Sequence, residues 1–221
     1  MCSTSGGRAR AGSWSWPPNK RLEAGGARRL RNEFFFSAPQ LKRDPLGSSH
    51  TTMGVTIHFE GRLKDCASLE AVVRAADAFA RARSWRVEPI SEMEAHLARV
   101  RDEQDWDYAG PTSGIEILPH ERCDPLRLEF DEDLYVQEYT KTQFAGPRVH
   151  TEVIALLREL APHFEALHVD DEGEYWDTSD AALLTRHIDT CNRVLADELR
   201  KHPGARGPVQ IAAGRWVDII S

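Results

Sequence analysis

Residues 53–61 read Met-Gly-Val-Thr-Ile-His-Phe-Glu-Gly, and the character of the chain changes there. Val55, Ile57 and Phe59 alternate with Thr56, His58 and Glu60. This is the period-two pattern of a half-buried strand, which Gly61 is expected to end. Upstream, residues 1–53 are rich in Gly, Ser, Pro and Arg and show no apolar period. Downstream, strand-like and helix-like segments follow one another almost to the last residue.

Charge divides at the same point. Residues 1–53 hold nine Lys/Arg and three acids, a net of +6, whereas residues 54–221 hold 19 and 32, a net of −13. The first segment has no means of burying a core. We therefore expect 1–53 to be a disordered or non-native basic extension, with Met53 as a natural start. An Arg- and Ser-rich transit peptide, or a basic arm that contacts nucleic acid or the acidic domain through Trp14, Trp16 and Phe34–Phe36, are the other readings. Residues 54–221 suit a single acidic domain. A net of −13 repels nucleic acid and anionic membranes and favours a basic protein surface. No apolar run approaches the ~20 residues of a membrane span. The four cysteines, Cys2, Cys66, Cys123 and Cys191, have no paired spacing, so a reducing cytoplasm is expected.

Working outward from the first strand, Leu69, Val72, Val73, Ala76 and Ala80 recur at helical spacing behind Asp65, a plausible N-cap. Trp85 and Val87 read as a strand. Ser91 and Glu94 form a capping box that predicts a short helix through Met93, Leu97 and Val100. Ile115/Ile117, Leu126/Leu128/Phe130 and Leu134/Val136 predict three strands, the last two joined at Asp131–Asp133. Pro147 opens a helix that Pro162 closes. Leu167/Val169 predict a strand, 181–201 a long helix, and 209–219 a terminal hairpin. The order is βαβα-βββ-αβα-ββ. It implies an α+β fold with a mostly antiparallel sheet and helices packed on one face.

Two stretches, VTIHFEGRL and LRLEFDEDLYVQEYTKTQFAGP, with the later DEGEYWDT, resemble an uncharacterised family of bacterial proteins that begins near Met53. The resemblance spans the domain and implies no activity.

Four candidate sites emerge. Asp170, Asp171, Glu172, Glu174, Asp177 and Asp180 place six acids in eleven residues around Tyr175 and Trp176. Converging carboxylates would bind a hard cation, and an aromatic pair among acids would suit a Lys/Arg-bearing partner. A solvated loop whose acids cap the next helix is the plainer alternative. His120, Cys123, His187 and Cys191 have the ligand count of a zinc site, although scattered His/Cys pairs match such patterns by chance. Arg127, Glu129, Tyr135, Gln137 and Tyr139 share the polar side of the later strands and form a recognition surface, or an anion anchor and base if covered. Lys141 with Gly146 could meet an anion at a helix start. No G-x-S-x-G or H-E-x-x-H occurs. The leading expectation is a cytoplasmic module that binds a basic protein surface, with no cofactor. The alternative is a metal-assisted hydrolase using Asp170, Asp171, Glu172 and Glu174.

Overall fold

The computed structural model describes residues 54–101, 104–211 and 214–219. The readings of residues 1–53 fall outside them. Among the described residues, ten strands and four helices follow in this order: β1 (Thr56–Leu63), α1 (Cys66–Arg81), β2 (Arg86–Leu97), β3 (Val100–Arg101), β4 (Gln104–Asp105), β5 (Tyr108–Leu118), β6 (Leu126–Phe130), β7 (Tyr135–Lys141), α2 (Pro147–Leu160), β8 (Phe164–Asp171), α3 (Tyr175–Thr178), α4 (Ala181–Lys201), β9 (Val209–Gln210) and β10 (Trp216–Val217). The fold is α+β, and every strand pairing among the described residues is antiparallel.

Two three-stranded sheets carry the architecture, in the orders β7-β1-β8 and β2-β5-β6. Alternation sends Ile57, Phe59 and Leu63 of β1 inward, where they meet the α1 stripe (Leu69, Val72, Ala76, Ala80) and the α2 stripe (Val149, Val153, Leu156, Leu157, Leu160). Ile115, Ile117, Leu126, Leu128 and Phe130 from the second sheet complete the same cluster. Each fully buried aliphatic side chain there contributes about 1.5–3 kcal/mol. Val55, Leu184 and Ile188 form a smaller cluster under α4.

Local signals set the helix ends. Asp65 accepts from Ser68 N at 2.7 Å, and Asp180 accepts from Ala182 N and Leu183 N at 2.8 and 3.0 Å. Each satisfies amides that the first helical turn leaves unpaired. Pro147 stands in the first turn of α2, where no amide is needed.

Two sequence expectations need correction. Residues 91–100 form no helix: Ser91–Leu97 continue β2 and pair with β5 as far as Leu97↔Tyr108, with a bulge between Glu92 and Ala95. The capping box had little to bury, and Met93 is 78 % exposed. A full-length partner strand therefore outweighed a local helix signal. Gly61 does not end β1 either, since the strand runs on to Leu63. A Cβ at Gly61 would stand 2.6 Å from the Ala166 carbonyl of β8, so glycine here permits close backbone approach.

Candidate functional site

The register of β7-β1-β8 places side chains on two faces. Ile57 and Phe59 turn to the helices. His58 lies opposite Tyr139 and Asp170, and Glu60 lies opposite Gln137 and His168. Directly opposed residues share a face. Tyr135, Gln137 and Tyr139 of β7 therefore stand beside His58 and Glu60 of β1 and His168 and Asp170 of β8, on the side away from α1 and α2.

Both ends of this outer face are covered by the chain itself. At one end lies the tip of the β2–β5 hairpin. Gln137 clasps Val100, accepting from its N–H and donating to its carbonyl, each at 2.8 Å. Arg99 reaches under the tip, its side chain only 1 % exposed. It pairs with Asp131 and donates to the Tyr135 carbonyl at 3.2 Å. Its guanidinium sits 4.9, 5.4 and 5.4 Å from the ring centres of Tyr135, Trp106 and Tyr108. At the other end, Arg215 lies 4.3 Å from the centre of the Tyr139 ring and donates to the Tyr139 carbonyl and to Glu138. Lys141 pairs with Asp218.

Between these covers lies an open strip of His58, Glu60, Tyr139, His168 and Asp170. Tyr139 is 40 % exposed, and its ring centre is 5.8 Å from that of His58. Glu60 accepts from Tyr135 Oη and Gln137 Nε2 at 2.8 and 2.7 Å. Burial draws the His58 imidazole below its ordinary value, and the opposing pull of Asp170 does not restore it. Burial raises the Tyr139 hydroxyl against the influence of Arg215. At neutral pH the strip thus carries acidic charge that an uncharged His58 does not cancel.

The acidic segment is not a cluster. Asp170 faces the outer strip, while Asp171 turns inward and is buried. Glu172 accepts from Thr56 N at 2.8 Å, and burial raises its carboxyl despite that bond. Glu174 stands 3.6 Å from His187, and Asp180 caps α4. Tyr175 and Trp176 are half-buried and already have a cation: Arg158 lies 5.7 and 5.5 Å from their ring centres and donates to both carbonyls. Among the described residues, no group of three or more His, Cys, Asp or Glu is placed to hold a metal ion.

Asp171 belongs instead to a buried relay that the sequence reading missed. His150 lies between Thr142 Oγ1, 2.7 Å from Nδ1, and Asp171, 3.1 Å from Nε2. The Gly173 and Trp176 amides donate to the same carboxylate at 2.7 and 2.9 Å. Burial would raise the Asp171 carboxyl, but the His150 and amide bonds hold it below the usual value. The order Thr–His–Asp has the connectivity of a nucleophile triad. Thr142 and His150 are fully buried, however, so no substrate reaches them. The relay fastens the start of α2 to the end of β8.

The other candidates disperse. Arg127 and Glu129 belong to the second sheet, not to the strip. Arg127 bridges Glu116 and Glu129, and Glu129 also accepts from Thr112 at 2.7 Å. This makes a closed side-chain ladder. Cys123 is buried beside Thr140, with burial pushing its thiol up to about 12. Cys191 lies 3.6 Å from the Gly54 carbonyl, and His120 Nδ1 accepts from Arg122 N. The two His/Cys pairs form no common site. Lys141 is held by Asp218 and is not free to meet an anion at Gly146.

His58, Glu60 and His168 were legible as outward positions of their strands, but only the register shows that they meet. Comparisons of the chain with protein-family models, curated proteins and solved structures found no match.

Proposed function

We propose that this protein is a binding module that takes a basic segment of another protein on the open strip of β7-β1-β8. One observation carries the reading. The same face already accepts two of the chain's own guanidinium groups, Arg99 on Tyr135 and Arg215 on Tyr139. Beside Arg215 the Tyr139 ring is still 40 % exposed, with Asp170 and Glu60 on the same face. Guanidinium and ammonium groups over an aromatic face gain roughly 0.5–2 kcal/mol, and a flanking carboxylate adds orientation. The net of −13 over residues 54–221 steers a basic partner toward the domain. A hydrolase built on the 170–180 acids gains no support from their geometry, since they point in different directions.

The test is shift mapping by NMR with a Lys/Arg-rich peptide at about 50 mM and about 300 mM salt. Shifts concentrated at His58, Glu60, Tyr139, His168 and Asp170, weakening with salt, are the expected result. Shifts absent at the lower salt, or scattered over the acidic surface without preference for these positions, would refute the reading.

A further inference from the structure

The strip is bounded on one side by β8, and the two edges of this sheet differ. In an antiparallel ladder, alternate residues turn their N–H and C=O to one neighbour, and the residues between turn the other way. The Thr142 amide donates to Val55 O, and the Glu172 amide donates to Thr56 O. With the observed registers, Tyr135, Gln137, Tyr139 and Lys141 therefore face away from β1 on β7, and Leu167 and Val169 face away on β8.

The β7 edge is dressed at three of these four residues. The Tyr135 carbonyl accepts from Asp131 N and Arg99, the Tyr139 carbonyl from Arg215, and the Lys141 carbonyl from Asp124 N. On β8, among the described residues, no group pairs with the outward amides and carbonyls of Leu167 and Val169. One edge of the second sheet, β2, carries Pro89, a bulge after Glu92 and exposed glutamates. These are the devices that deter strand addition. Between Ala166 and Asp171, β8 has no proline, no glycine and no bulge.

We infer that β8 is the docking edge, and that it adds an extended segment of a partner in which basic and apolar residues alternate. The inference rests on the protein-binding reading above and specifies its mode. Main-chain bonds to Leu167 and Val169 would supply the pairing, as in other strand-addition complexes. Charge selects the occupant. The exposed side chains along β8 include Glu165 and Asp170, with Glu60 one strand away. Outward side chains of the added strand would fall beside Asp170 and His168, so basic residues at every second position suit it. A second copy of this chain would bring Glu165 and Asp170 against their own counterparts' acidic edge and is disfavoured.

The experiment uses the full-length protein and a capped octapeptide of alternating Lys and Val, beside the same peptide N-methylated on the amides of one edge. Amide exchange at Leu167 and Val169 should slow about tenfold or more on binding, because both amides gain partners. N-methylation of the pairing edge should weaken binding about tenfold, the loss of about two hydrogen bonds. Asp170→Lys should weaken binding and flatten its salt dependence. If shifts appear at His58 and Tyr139 while Leu167 and Val169 stay unprotected and N-methylation costs nothing, the edge inference fails and the binding face survives. If the peptide binds nowhere, both fail. A dimer by light scattering that protects Leu167 and Val169 without peptide would assign the edge to a second copy and overturn the proposal.

Discussion

Replacing Asp171 by Ala deprives three donors of their acceptor: His150 Nε2 and the amides of Gly173 and Trp176. The side chains of Asp171 and His150 are 1 % and 0 % exposed, so water does not take over. Leaving a buried donor unsatisfied costs roughly 1–3 kcal/mol each. The Trp176 amide is only part-buried and belongs at the low end, so we expect a loss of about 3–6 kcal/mol. Asp171→Asn keeps one acceptor oxygen but turns an NH2 toward at least one of these donors, for a loss of about 2–4 kcal/mol. The assay is urea denaturation at pH 7 followed by tryptophan fluorescence, with the slope unchanged if the native state keeps its compactness. A pH series adds a sign. The folded-state carboxyl of Asp171 is held below its unfolded value. Its contribution is therefore complete above the unfolded value of 3.8 and disappears as pH falls through the lowered one. The difference between the natural chain and Asp171→Asn should shrink in that acid window. A loss under about 1 kcal/mol for Asp171→Ala would refute the view that the relay holds α2 to β8.

Other perturbations bear on the rest of the structure. Arg99→Met leaves the Asp131 carboxylate buried without its cation and should cost about 3–5 kcal/mol by denaturation, while the double replacement with Asp131→Asn should recover a large part of it. Gly61→Ala forces a Cβ against the Ala166 carbonyl and should part β1 from β8, lowering the urea midpoint and speeding exchange along β8 more than along β7. His58 is drawn below its ordinary value of 6.5, so it is uncharged at pH 7 and gains a proton as pH falls through that lowered value. Affinity for the basic peptide, measured by calorimetry, should fall over the same range, and His58→Gln should remove that part of the pH dependence.

Side-chain period and caps made much of the fold legible. Asp65 announced its helix, and the alternation from Val55 to Phe59 announced the central strand. Strand length was not legible at β2, because Ser91–Leu97 is strand only by virtue of β5 opposite it. The candidate site was partly legible for a related reason. Tyr135, Gln137 and Tyr139 were assigned to one face from their spacing, and they share it. Arg127 and Glu129 were grouped with them on the same grounds but lie in another sheet, since alternation says nothing of which strands pair. The acids of 170–180 looked like one cluster in the sequence. A strand end, a left-handed residue at Glu174 and a helix cap send them in different directions.

The dressing of β7 has a consequence for assembly. A sheet with two bare margins can grow at both and propagate as a fibre. Here Arg99, Arg215 and the Asp124 amide occupy the carbonyls of Tyr135, Tyr139 and Lys141 on one margin, so a strand received at β8 would extend the sheet on the opposite side. Growth by strand addition is then confined to the β8 side of this sheet.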